Sequence, residues 1–185
     1  MSNVQTQSWE RVLRGGDRVL IRPLHAQDVE LERRFIEKLS PASRRFRFLD
    51  SMKTPSDELL RQLTVLDPAT DMAYVAVSAL GSHEEPVGIA RFSAAEDDQH
   101  CEFAVTVADQ WQNKGLGTLL MQHLVEAARK LGIDKMHSSD ASDNELMRRF
   151  AAHLGLQHER DSDDAMQVLY RLDLNTANSV TDDLR

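Results

Sequence analysis

The chain has 185 residues, 41% hydrophobic and 28% charged, enough to bury one domain's core without disulfide or metal staples. No stretch approaches the ~20 apolar residues of a membrane-spanning helix. Asp and Glu outnumber Lys and Arg by 30 to 22, a formal net charge of −8, which argues against nucleic acid or a membrane as partner and suits a cationic or amine-bearing one.

Residues 1–17 read as a polar leader with a loop at Gly15-Gly16. Met1–Glu10 lacks the apolar stretch of a signal peptide, so the cytoplasm is the expected compartment. Arg18–Pro23 reads as a short strand closed by proline. Leu31, Phe35 and Leu39 recur at helical spacing within Asp28–Leu39. Ser40-Pro41 then supplies an N-cap and a first helical residue for a helix reaching about Leu49, and Ser56 caps another over Asp57–Leu66.

Alternation follows. Met72–Ala79, Val87–Ala95 and His100–Val107 read as three strands of an antiparallel meander, with polar turns at Gly81–Pro86 and Glu96–Gln99. After a loop over Ala108–Lys114, Leu116, Leu120, Leu124, Ala128 and Leu131 share one helical face, and Gly132 ends that helix. Ile133–Ser138 is a strand, so this strand–helix–strand unit predicts one right-handed parallel crossover. Asp143–Leu154 reads as a further helix ended by Gly155. Strands at Gln157–Arg160 and Met166–Leu174 complete a single α/β domain over 18–174, with a polar tail over 175–185.

Gln112-Asn113-Lys114-Gly115-Leu116-Gly117-Thr118 lies between a strand and an amphipathic helix. Free N–H groups and partial positive charge at a helix start bind phosphate oxygens, and glycine lets the backbone approach them. The segment is neither a Walker loop nor a dinucleotide fingerprint. A tight turn that uses glycine only for packing is the plainer alternative.

This Gln-x-x-Gly-x-Gly segment resembles motif A of the GNAT superfamily of acyl-CoA-dependent N-acyltransferases, and the element order over about 18–174 is similar too. The resemblance implies a mixed, mostly antiparallel sheet with helices on both faces. It implies acetyl-CoA as co-substrate, its pyrophosphate held at Gln112, Asn113, Lys114, Gly115, Leu116, Gly117 and Thr118, and its pantetheine arm on the backbone at Val105 and Val107. Asn144 is implied as a cofactor contact, and reads equally well as a helix N-terminal residue.

Phe35–Phe48 (FIEKLSPASRRFRF) and Cys101–Val105 (CEFAV) are similar to the acetyltransferase domain of bacterial Pat-type protein lysine acetyltransferases. The likeness implies Glu102 as general base and favours a protein lysine acceptor. In Pat-type proteins the domain is often fused to a large regulatory region. A chain of this length has no room for one, so such regulation is expected to be missing or supplied in trans. Ala151 occupies the position where many family members carry a Tyr that protonates the leaving thiolate. Tyr74, Tyr170 and His153 are distant alternatives.

On the strand, Glu102, Ala104 and Thr106 alternate with Cys101, Phe103, Val105 and Val107. A carboxylate at Glu102 can take the proton an acceptor ammonium must lose. An ordinary solvated strand residue is the alternative. Cys101 reads as a buried structural thiol, and no metal-binding set of residues is visible. Arg33, Arg34, Lys38, Arg44, Arg45 and Arg47 form a basic cluster, read as a solvated face paired with Glu30, Glu32 and Glu37, or as lying in part near the acceptor entrance or the 3′-phosphate of the cofactor. The expected activity is acetyl transfer from acetyl-CoA to a primary amine in a direct ternary complex. A small-molecule amine acceptor and a non-catalytic acyl-CoA sensor are the alternatives, and a homodimer is compatible with all of them.

Overall fold

Short apolar runs between polar turns build eight strands in the computed structural model, which describes residues 7–49, 54–78, 83–94 and 99–175. They are β1 (Trp9–Val12), β2 (Arg18–Pro23), β3 (Asp71–Ser78), β4 (Glu85–Ala94), β5 (His100–Val107), β6 (Lys135–Ala141), β7 (Gln157–Arg160) and β8 (Gln167–Asp173). They form one sheet in the order β1-β2-β3-β4-β5-β6-β8-β7. Every neighbouring pair is antiparallel except β5–β6, which is parallel. The meander and the single crossover expected from the sequence are therefore present.

Trp9–Val12, inside the segment read as leader, pairs with β2 as the edge strand. Glu85 and Pro86, expected in a turn, begin β4. The rest of that turn up to residue 82, the turn expected at Glu96–Gln99 as far as residue 98, and the tail from residue 176 lie outside the described residues.

The helices start where their caps dictate. α1 spans Val29–Lys38, α2 Pro41–Phe48, α3 Asp57–Thr64, α4 Leu116–Lys130 and α5 Glu145–His153. Ser40 Oγ accepts the Ser43 N–H at 3.2 Å and Pro41 fills the first turn of α2. Ser56 Oγ does the same for Leu59 N–H in α3. That helix stops at Thr64, short of the expected Leu66, with the Thr64 hydroxyl bonded back to the Leu60 carbonyl.

One core lies where α4 and α5 meet the sheet. Leu120, Met121, Leu124 and Ala151 pack with Phe92, Phe103, Met136 and Tyr170. A second lies under α1, where Leu31, Phe35 and Leu39 meet Val75 and Ile89. Each such side chain contributes about 1.5–3 kcal/mol on burial. Between α1 and β4 the core is ionic: Arg91 holds both oxygens of buried Glu32 at 3.0 and 3.1 Å and the Leu63 carbonyl at 2.7 Å. Burial raises the Glu32 pKa, with Arg91 opposing. Removing either partner would strand a buried charge, at a cost of about 3–5 kcal/mol.

Candidate active site

The site is made by a parallel pair that does not stay paired. β5 and β6 are in register only at His100–Lys135, Cys101–Met136 and Glu102–His137. β5 nevertheless continues to Val107 and β6 to Ala141. The strands part beyond Glu102 and leave a V-shaped opening whose backbone groups have no ladder partner across the gap.

A cleft of about 490 Å³ occupies this opening. Val105, Thr106 and Val107 of β5 form one wall, Asp140 of β6 and Leu146, Met147 and Phe150 of α5 the other. The start of α4 forms the floor. Gly115 is its N-cap with φ of 88°, a left-handed conformation that favours glycine. The N–H groups of the first turn, Leu116 to Thr118, have no helical acceptor and carry the positive end of the helix dipole. Gly117 is bare towards the cleft, where a Cβ would lie 3.3 Å from Phe150 Cε2 and 3.7 Å from Val107 Cγ2. Gln112 Nε2 donates to the Val107 carbonyl at 3.1 Å, tying the loop to the end of β5.

The roof is α2, anchored on both sides of the V. Ser40 N–H and Oγ and Ser43 Oγ all donate to the Asp109 carboxylate, at 3.0, 2.7 and 2.8 Å. Burial pushes the Asp109 pKa up, but these donors outweigh it and the net direction is down. On the far side Arg45 pairs with Asp143 at 2.7 Å. Ser43, Phe46 and Arg47 of α2 face the cleft.

Of the residues singled out in the sequence, Val105, Val107, Gln112, Asn113, Gly115, Gly117, Thr118 and Asn144 line this cleft. Lys114 does not: its ammonium pairs with Asp17 at 2.8 Å and lies over the Trp111 ring. Nor does Leu116, whose side chain is buried in the core. Asn144 caps α5, accepting the Met147 N–H at 3.1 Å, while its Nδ2 donates to both Asp140 oxygens. Asp140 is raised in pKa by burial, against the stabilising donation from Asn144. Glu102 is exposed and occupies the last register pair before the strands part, at the vertex of the V.

Arg14, Thr106, Trp111, Asp140 and Arg149 line the cleft without having been singled out. Leu146, Met147 and Phe150 of α5 also line it, and their helical spacing is a signal that sequence carries. Arg14 lies far from the motif in sequence and arrives through a backbone bond from its N–H to the Lys114 carbonyl at 3.2 Å, which spacing does not reveal. Tyr74 and Tyr170 are buried in the core, whereas His153 reaches the cleft. Among the described residues, no group of three or more His, Cys, Asp or Glu side chains is placed to hold a metal, and no helix is long and apolar enough to cross a membrane.

Comparison with known proteins agrees with this geometry. The profile of the acetyltransferase (GNAT) family matches residues 36–156. An acetyltransferase of Pseudomonas aeruginosa is 43% identical over 186 residues, covering 94% of this chain and 100% of that one. Acetyltransferase Pat of Mycolicibacterium smegmatis is 28% identical over 144 residues, which are 77% of this chain but 42% of the mycobacterial protein. Among solved structures, the GNAT domain of S. lividans PAT superposes with a TM-score of 0.82 at 22% identity, over 90% of this chain and 96% of that one. A parted parallel pair with a glycine-floored helix start at its mouth thus coincides with a family match over most of the chain, and the chain belongs to the GNAT acetyltransferase family.

Proposed function

We propose that the protein transfers an acetyl group from acetyl-CoA to a primary amine in a direct ternary complex, with Glu102 as general base. Members of the family use an acyl-CoA as co-substrate. The observation that carries the reading is the V between β5 and β6, open beyond Glu102 and floored by the N-terminus of α4. Free N–H groups from Gly115 to Thr118 suit a pyrophosphate, with Gly117 leaving room for it. The β5 backbone at Val105 and Val107 has no ladder partner in β6 and suits an amide-bearing pantetheine arm, which then runs towards the vertex, although the Val107 carbonyl already accepts from Gln112. Lys114 serves this site through its peptide group, its side chain being committed to Asp17. Asn144 acts by capping α5 and orienting Asp140.

At the vertex, the exposed Glu102 carboxylate takes a proton from the acceptor ammonium, directly or through one water, freeing the nitrogen lone pair. Backbone N–H groups of β5 there stabilise charge that develops on the thioester oxygen only as the reaction proceeds. The likeness to Pat-type domains supports a lysine side chain as acceptor.

The test is release of the CoA thiol from acetyl-CoA over a panel of amines and lysine-bearing proteins. Glu102→Gln should lower kcat by about 10²–10⁴-fold while the affinity for acetyl-CoA, measured by calorimetry, holds. Unchanged turnover in the variant would remove Glu102 from the role of base.

A further inference from the structure

The arginines of α1 and α2 are taken up by acceptors with one exception. Arg33 pairs with Glu30 and Asp57. Arg34 donates to the Glu30 and Glu84 carbonyls, Arg44 to the Glu37 carbonyl, and Arg45 to Asp143. Arg47 has no hydrogen-bond or ion-pair partner among the described residues; only its face is used, 4.9 Å from the Phe48 ring centroid. It is half-buried and lines the cleft beside Val105 and Thr106. Protein crowding lowers its pKa to about 10, helped by Arg91 and opposed by the attraction of Glu32 and Glu102. It stays charged at neutral pH, and it lies within electrostatic reach of the residue at the vertex.

A half-buried guanidinium with its donor edge unused is a costly arrangement unless something completes it. Its planar fork matches a carboxylate with two parallel hydrogen bonds. The carboxylate that could neutralise it from within, Glu32, is already held on both oxygens by Arg91. Arg47 lines the cleft and is attracted by Glu102 at the vertex, so a positive group of the cleft and a negative group at the vertex lie within electrostatic reach of each other. That pattern is complementary to a reactant carrying a carboxylate close to the reacting amine or thioester.

We propose that Arg47 binds a substrate carboxylate at the reacting end of the cleft, a reading that rests on the transferase assignment above. The carboxylate has two possible carriers. It belongs to the acceptor, as the α-carboxylate of an amino acid or an acidic residue flanking a lysine, or to the acyl group, as in a dicarboxylic thioester.

The experiment compares matched pairs in the wild type and in Arg47→Gln and Arg47→Lys. On the acceptor side, kcat/KM with acetyl-CoA is measured for an amino acid against its carboxamide, and for a lysine peptide flanked by Glu against the same peptide flanked by Gln. On the donor side, calorimetry compares succinyl-CoA with acetyl-CoA without any turnover. The acid-to-neutral preference should fall at least about tenfold in Arg47→Gln and be partly restored in Arg47→Lys, which keeps the charge without the fork. A change confined to the acceptor pairs places the carboxylate on the acceptor, and one confined to the donor pair places it on the acyl group.

Equal losses for acidic and neutral members would make Arg47 a counter-charge for Glu102 and overturn the proposal. So would an equally weakened affinity for CoA and acetyl-CoA, which would mean a phosphate contact, or no change in any pair. Failure of the wild type to turn over with every amine would instead overturn the transferase reading, with the donor-side affinities still testing Arg47.

Discussion

Gly117 shows how little space the cleft leaves beside the first turn of α4. A single Cβ there meets Phe150 at 3.3 Å and Val107 at 3.7 Å, one on each wall, and valine adds two further methyl groups across the gap. Gly117→Val should therefore weaken CoA binding at least about tenfold in calorimetry while the far-ultraviolet circular dichroism stays native. Gly115→Ala is the informative contrast. Its Cβ would touch nothing within 4 Å, but the residue sits at φ 88°, so the expected cost is in folding stability, about 1 kcal/mol by urea denaturation. At the same scale Cys101 is fully buried, and burial drives its thiol up to about 12. Only a thiolate reacts readily. An aromatic disulfide reagent should leave the native protein unlabelled and modify it once denaturant is added, and Cys101→Ser should retain transfer. Rapid labelling of the native protein, or loss of transfer in the variant, would reopen a covalent role for the thiol.

At the scale of elements, α2 has no fully buried residue of its own, so its position over the cleft depends on its end anchors. Asp109 accepts from Ser40 and Ser43 and is thereby held below its ordinary carboxylate pKa despite burial. Because the folded pKa is the lower one, this contribution is complete above the unfolded value of about 3.8 and fades as pH falls through the folded one. Across the neutral range the anchor is intact. Asp109→Asn keeps the shape but loses the charge, and should raise KM for the acceptor while costing about 0.5–2 kcal/mol of stability, the range for weakened caps. A stability loss without a change in KM would show that α2 does not shape the acceptor entrance. The Ser40-Pro41 start of this helix was legible from the sequence because a cap is a local interaction. Which of its arginines faces the cleft was not legible, since the bonds of Arg44 to the Glu37 carbonyl and of Arg45 to Asp143 form only once the elements pack. Lys114 makes the same point: its place in the motif suggested a phosphate, but a carboxylate 97 residues away takes the side chain.

At the scale of the whole molecule, the β3–β5 meander and the parallel crossover to β6 could be read because alternation and the crossover are strong periodic signals, whereas the insertion of β8 between β6 and β7 could not. The parting of β5 and β6 could not, because the two strands remain extended after their pairing stops. The edge strand β1 was also hidden. Its burial alternates only between half-buried and exposed residues, and its main tertiary contact comes from one aromatic group. Trp9 stacks on His123 of α4 with ring centroids 4.0 Å apart, and Tyr74 of β3 lies 5.6 Å from the same imidazole. Burial pulls His123 from its ordinary 6.5 to about 4, with Arg11 and Lys130 adding to the shift and Glu126 opposing it. The imidazole is thus neutral in the fold at pH values where the unfolded chain already binds a proton. The stabilisation is complete above about pH 6.5 and is lost as pH falls towards the folded value. The loss should be about 2 kcal/mol by pH 5 and approach about 3 kcal/mol through pH 4. Urea denaturation at pH 7 and pH 5 should show this loss in the wild type. His123→Phe keeps a ring against Trp9 but cannot titrate, so its pH 7 to pH 5 difference should be smaller by about 2 kcal/mol. Equal differences in the two proteins would mean that His123 takes up its proton in the folded state as readily as in the unfolded chain, and that its burial against Trp9 does not hold it neutral.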